Sequence, residues 1–119
     1  MEWPGQIETV PEVDIETRRS QDAPVHRTTI WVVVDGDDVF VRSLRGAAGR
    51  WYRELTANQA GVLHVAGESI PVRAVAAGDP DSVERATAGF RRKYGNSRAL
   101  DSMLRDEILD TTVRLEPDR

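Results

Sequence analysis

The stretch "TTIWVVVDGDDVFVRS", Thr28 to Ser43, constrains this chain more than any other part of it. Its first half, Thr28 to Val34, is so rich in β-branched and aromatic residues that it reads as a strand buried on both faces. "DGD", Asp35 to Asp37, is a hairpin signal, because Gly36 can take positive φ without a steric penalty. "DVFVRS", Asp38 to Ser43, is then the returning strand.

The neighbouring segments extend this pattern. "VDIETR", Val13 to Arg18, alternates apolar and polar residues and reads as a first strand, and "SQDAP" makes the turn after it. Val62 to Ala76 reads as a second hairpin about Gly67, with Pro71 placing its strand partly at an edge or a bulge. Between the hairpins, Trp51 and Leu55 stand four apart and predict a short helix over Gly49 to Ala57. Asp79 as N-cap, Pro80 at the first position, the stripe Val83, Ala86, Phe90, Tyr94 and a stop at Gly95 predict a longer one. A further helical pattern runs through "SRALDSMLRDEIL", and "TTVRLEP" returns as a last strand. Met1 to Val10 carries no usable period and reads as a flexible N-terminal arm, leaving 11–119 as the folded domain. Strands first, helices later and hairpin links between strands predict an α+β fold: a mainly antiparallel, six-stranded small barrel with about three packed helices.

At 119 residues the chain can bury a core without disulfides or metal. It has no cysteine, which excludes thiolate catalysis and iron–sulfur ligation and fits a reducing cytoplasm. The longest apolar run, Ile30 to Val34, is far too short for a membrane span, and no secretory signal opens the chain. A cytoplasmic protein is the expectation. Six acids against Arg18 and Arg19 before Val25 account for the whole net charge of −4. With the remainder neutral, broad attraction to nucleic acid is not expected. Lys93 is the only lysine among sixteen basic residues, a bias that points to a GC-rich genome, such as an actinobacterial one.

One basic cluster stands out in this acidic chain: Arg42, Arg45, Arg50 and Arg53, with no acid until Glu54. Arg42 and Ser43 end a strand, while Gly46, Gly49 and Arg50 lead into a helix, an arrangement that suits phosphate. Trp51 can add an apolar wall for a flat ring. The same arginines also read as a loop paired with Glu54 or the acidic N-terminus. Both readings stand on spacing alone.

The other chemical candidates are weaker. His64 on a strand can contact a ring or move a proton, or simply be satisfied by a neighbour; His26 reads as a solvent-exposed loop residue. Neither histidine has a partner at metal-ligand spacing, so no metal site is assigned. Arg91, Arg92 and Lys93 sit where cations complement a helix dipole, and Tyr94 reads as the last core residue of its stripe. Asp37–Asp38 and Asp106–Glu107 do not present two carboxylates across one substrate. Ser69 or Ser102 as nucleophile lacks a histidine and an acid at any supporting spacing.

The order of segments from His26 to Val75 resembles the split β-barrel flavin and deazaflavin proteins. These are the pyridoxamine-phosphate-oxidase-like and deazaflavin-dependent nitroreductase-like groups, and a small uncharacterised bacterial family within them is the most similar. The resemblance rests on "WVVVDGDDVFVRS", "WYRELTAN" and "LHVAG". It implies Arg42, Ser43, Arg50 and Trp51 at a cofactor phosphate, and Thr29 and Trp31 beside the ring. It also allows a substrate-pocket role for His64, Lys93 and Tyr94, and a homodimer. The pattern departs at Gln59, where a proline is usual. The function implied is an FMN- or 8-hydroxy-5-deazaflavin-dependent oxidoreductase acting on a small molecule. The alternatives are a cofactor-free ligand-binding protein or non-redox enzyme on the same barrel, for example in natural-product biosynthesis, and an interaction module.

Overall fold

In the computed structural model, which describes residues 3–118, the apolar run Thr28 to Val34 is divided. In chain order the elements are α1 (Trp3–Glu8), β1 (Val13–Arg18), β2 (Val25–Ile30), β3 (Val33–Asp35), β4 (Asp38–Val41), α2 (Arg50–Asn58), β5 (Ala60–Val65), β6 (Glu68–Ala76), α3 (Pro80–Tyr94), α4 (Leu100–Met103) and β7 (Val113–Pro117). Two 3-10 segments, Gly46–Ala48 and Asp106–Thr111, precede α2 and β7.

All seven strands form one sheet of order β2-β1-β5-β6-β7-β4-β3, antiparallel at every step. The two edge strands, β2 and β3, are therefore consecutive in the chain, joined only by Trp31 and Val32. Three Cα steps from Ile30 to Val33 reach at most about 11 Å. The sheet must curl until its edges nearly meet, and it becomes a split half-barrel with a seam at Trp31–Val32.

This seam corrects the expected counts. Seven strands and four α-helices are present among the described residues, against six and about three. An uninterrupted β-branched run carries no mark of where the chain leaves one sheet edge for the other. The segment expected as an arm contributes α1, whose Ile7 is fully buried. The expected helix after Ser97 shrinks to one turn and a 3-10 segment, because Arg105 is extended and its guanidinium donates to the carbonyls of Ser102 (2.9 Å) and Leu44 (2.6 Å).

The β3–β4 hairpin is buried on both faces, but the expectation of two-faced burial for Thr28 to Val34 does not hold before Ile30: Thr28 is half-buried and Thr29 exposed on the edge strand β2. Val32, Val34, Val39 and Val41 join the barrel core around Trp51 and Leu55 of α2. On the opposite face, Val33 and Phe40 pack against Ala86, Phe90 and Tyr94 of α3. A Cβ at Gly89 would stand 3.1 Å from Val33, so the absence of a side chain sets how closely α3 lies on the sheet. Fully burying a side chain such as Phe40 or Phe90 stabilises by about 1.5–3 kcal/mol.

Both hairpins turn over two residues, with Asp35 opposite Asp38 and Val65 opposite Glu68. Gly36 has φ 61°, while Ala66 and Gly67 are both left-handed at 50° and 84°. β6 is an interior strand rather than an edge. It tolerates Pro71 because the β7 ladder starts one residue later, at Val72 opposite Pro117, and the Pro71 carbonyl accepts the Asp118 amide at 2.8 Å. The missing N–H thus faces the end of the ladder. Asp79 caps α3 by accepting the Ser82 amide at 3.0 Å, with Pro80 following as expected.

Candidate functional site

A cavity of about 550 Å³ opens where the seam, the end of β4 and the start of α2 come together. Thr29, Trp31, Arg42, Ser43, Arg50 and Trp51 all line it. Thr29 comes from the edge strand β2 and Trp31 from the seam. Arg42 and Ser43 follow β4, and Arg50 and Trp51 open α2.

The aromatic wall is held in place from behind. The Trp31 indole stacks on the Tyr94 ring with centroids 3.9 Å and planes 4° apart. The Tyr94 hydroxyl in turn donates to the Pro11 carbonyl at 2.6 Å and accepts the buried Val32 amide at 3.3 Å. Next to it, the Lys93 ammonium donates to the carbonyls of Val32 (2.7 Å) and Ile7 (3.3 Å). Burial pulls Lys93 down to about 8, with the charge of Glu8 opposing it only in part. Lys93 and Tyr94 therefore clamp the seam and α1, and neither lines the cavity.

Arg42 reaches the cavity, but its donors point into the frame. Nε donates to the Thr112 hydroxyl (2.9 Å), Nη1 to the Met103 carbonyl (2.9 Å), and Nη2 to Thr87 Oγ1 (3.1 Å) and the Val83 carbonyl (3.3 Å). The side chain is 1 % exposed, lies over the Phe90 ring, and is held by burial at about 10. One guanidinium ties the end of β4 to α3, α4 and Thr112 just before β7 while remaining a cation at neutral pH. Ser43 is similarly engaged: its hydroxyl donates to the Gly46 carbonyl (2.7 Å) and its amide to Thr111 Oγ1 (3.1 Å). A Cβ at Gly49 would fall 2.5 Å from that hydroxyl, so glycine is what lets the chain enter α2 here.

The uncommitted cations are Arg45 and Arg50, both exposed and without an ion pair among the described residues. Gly49 caps α2 with no side chain, which leaves first-turn amides of the helix without a capping partner. Arg50 and Arg53 also line a second cavity of about 440 Å³, with Arg19, Glu54 and Ala57. Sequence reading missed Glu12, the one carboxylate on the main cavity wall. It lies among the acids of the N-terminal stretch, and nothing in its spacing singles it out.

The histidines lie elsewhere. His64, on the outer sheet face, has Nε2 2.9 Å from Glu16 Oε1 and Nδ1 3.1 Å from the Ser69 hydroxyl. Strand register joins this Ser–His–Glu row, and neither cavity reaches it. His26 belongs to β2 rather than a loop and sits 3.3 Å from Glu54 Oε1, which also accepts the Thr17 hydroxyl at 2.9 Å. Among the described residues there is no cluster of three or more metal-ligating side chains, and no helix is long and apolar enough to cross a membrane.

A family model described as "Uncharacterized protein conserved in bacteria (DUF2255)" matches residues 5–115. No curated protein matches the chain in sequence. Among solved structures, the chain is similar to a putative pyridoxamine 5'-phosphate oxidase from Listeria innocua, with 12 % identity, TM-score 0.67, and coverage of 97 % of this chain and 90 % of that one. It is also similar to a heme storage protein from Vibrio cholerae, at 13 % identity and TM-score 0.71, covering 97 % and 87 %. An F420-H2 dependent reductase aligns at 14 % identity and TM-score 0.66, covering 89 % and 94 %. The fold is that of these split barrels.

Proposed function

Starting from the chain's membership of that uncharacterized bacterial family, we propose that it binds a phosphorylated flavin-type cofactor, FMN or a deazaflavin, and supports a redox reaction on a small molecule. The carrying observation is one cavity that joins an indole held flat by Tyr94 to a basic rim of Arg45 and Arg50. Its volume falls within the usual range for small-molecule sites, roughly 300–1,000 Å³. Two of the three neighbours described above are named for flavin-type chemistry, which supports the reading without extending it to a substrate.

When bound, such a ring accepts or gives hydride, and the protein supplies anchorage, orientation and exclusion of water. Trp31 offers a rigid face for the ring, and Trp51 a second apolar wall. Arg50, Arg45 and the first-turn amides of α2 provide the anchor for phosphate, while the positive field of Arg42 acts from behind without direct donation. No catalytic acid or base is assigned to the chain. Leu44 is 52 % exposed on the cavity rim, which supports a homodimer whose second copy covers the mouth.

A titration with FMN and with the deazaflavin coenzyme, followed by ring fluorescence, tests the reading. Saturable binding to one of them is expected, weakened in Arg50→Ala by about 1.5–3 kcal/mol if one charge-assisted bond is lost. Absence of binding to both would favour a second reading: a cofactor-free ligand-binding protein or non-redox enzyme using the tryptophan-lined cavity. The internal commitment of the Arg42 and Ser43 donors is the observation on its side.

A further inference from the structure

Three basic side chains of α3 fasten the edge strand β3 and the seam before it. Arg85 donates to the Asp35 carboxylate (2.6 Å) and carbonyl (3.0 Å). Arg92 donates to the Val34 carbonyl (3.1 Å) and stands 3.6 Å from the Asp35 carboxylate. Lys93 completes the row with the carbonyls of Val32 and Ile7. It differs from both arginines in one respect: among the described residues no carboxylate pairs with it. The groups that act on its charge are Glu8, through space from the end of α1, and the Tyr94 ring, whose centroid lies 5.4 Å from Nζ.

Counting donors shows which form of the side chain this site accommodates. An ammonium carries three N–H donors and no acceptor. Nζ has two partners among the described residues, both backbone carbonyls. A neutral amine matches them with two N–H donors and keeps its lone pair uncommitted. Burial favours the same form. The side chain is half-buried rather than sealed, so reagents in solution can reach it. Lys93 is also the only lysine among sixteen basic residues, and the arginines cannot supply a free amine because guanidinium stays charged.

We propose that Lys93 Nζ is a covalent modification site for activated acyl groups, small acyl phosphates or acyl thioesters, and that acylation frees α1 from α3. In this step the amine lone pair adds to the acyl carbon and a C–N bond forms. The bond from that carbon to the phosphate oxygen or thiol sulfur breaks, the leaving group keeps the electron pair, and the proton from nitrogen passes to solvent. The amide that results has a single N–H. It can serve the Val32 carbonyl, the shorter of the two contacts, and the Ile7 carbonyl of α1 then loses its link to Lys93. The inference is independent of any cofactor in the main cavity, which Lys93 does not line.

Acetyl phosphate and acetyl-coenzyme A, in separate arms, are incubated with the folded protein and with the capped peptide FRRKYG. The reaction runs at about pH 7.5, where an ordinary lysine is almost wholly protonated, and transfer to the lysine is followed by mass spectrometry. With at least one donor, Lys93 in the folded protein should react about tenfold or more faster than in the peptide, as a desolvated amine nucleophile does. Hydrogen exchange over Trp3 to Val10 should then quicken in the acetylated protein. Lys93→Arg, which keeps its donors and is not acylated, should exchange alike before and after the same treatment. A lysine that reacts no faster than the peptide with either donor would overturn the site. Rapid acetylation with unchanged exchange over Trp3 to Val10 would overturn the release of α1.

Discussion

The indole of Trp31 lies flat on the phenol of Tyr94, 3.9 Å between centroids, and the hydroxyl of that same tyrosine accepts the amide of Val32, the next residue after the tryptophan. One side chain therefore fixes both the cavity wall and the backbone of the seam. Tyr94→Phe keeps the stack and orphans the buried Val32 N–H. The expected loss is about 1–3 kcal/mol in urea unfolding, and an unchanged midpoint would mean that the amide does not depend on Tyr94.

Arg42 should be among the costliest residues to replace. Arg42→Ala strips partners from the Met103 and Val83 carbonyls and from two threonine hydroxyls, and leaves a void beside Phe90. A loss of at least about 3 kcal/mol follows from orphaned polar groups alone. Arg42→Lys should recover little of it, since one ammonium cannot reach partners spread over Thr112, α3 and α4. Near-wild-type unfolding of Arg42→Lys would show that the frame does not need the fork.

Gln59 ends α2 with φ 58°, its amide donating to the Leu55 carbonyl at 2.7 Å. An L-residue pays roughly 1–2 kcal/mol for the left-handed region, so Gln59→Gly should raise stability by about 0.5–1 kcal/mol once the entropy of glycine is subtracted. Gln59→Pro restores the residue usual in the resembled pattern, yet proline is locked near −65° and has no amide. It should cost about 3 kcal/mol or more. A stable Gln59→Pro protein would require a differently shaped junction between α2 and β5.

Lys93 gives a pH signature. Buried beside the seam it releases its proton near pH 8, whereas in the unfolded chain it holds it to about 10.5. Between those values the unfolded state binds more protons, so this group makes stability rise with pH across that window and adds no slope below it. Lys93→Met should remove the rise. Urea midpoints from pH 7 to 9.5 for both proteins decide it, because any titration of Arg42 and Tyr94 is common to the two, and parallel profiles would contradict the assignment.

Much of the barrel was legible locally. The DGD turn, the two-faced burial of Val32 to Val34 and the Asp79–Pro80 start of α3 follow from residue chemistry within a few positions. The residues from Thr29 to Trp51 assigned to one site do meet along one cavity, because the hairpin and the helix start are adjacent in sequence. What local pattern could not convey was register between distant strands. Pairing of β1 with β5 and of β5 with β6 brings Glu16, His64 and Ser69 into a row that no spacing reveals. The direction of Arg42 was equally hidden: "VRS" reads the same whether the guanidinium faces a ligand or the carbonyls of α3 and α4.

The seam has a practical consequence for anyone who would redesign the pocket. Trp31 belongs to the bridge that closes the barrel, so a library randomised there selects for folding before it selects for binding. Leu44 and Arg45 line the same cavity from an exposed loop, where side chains are free of the frame. Diversity placed at these two positions can change what the pocket prefers while leaving the scaffold that presents it alone.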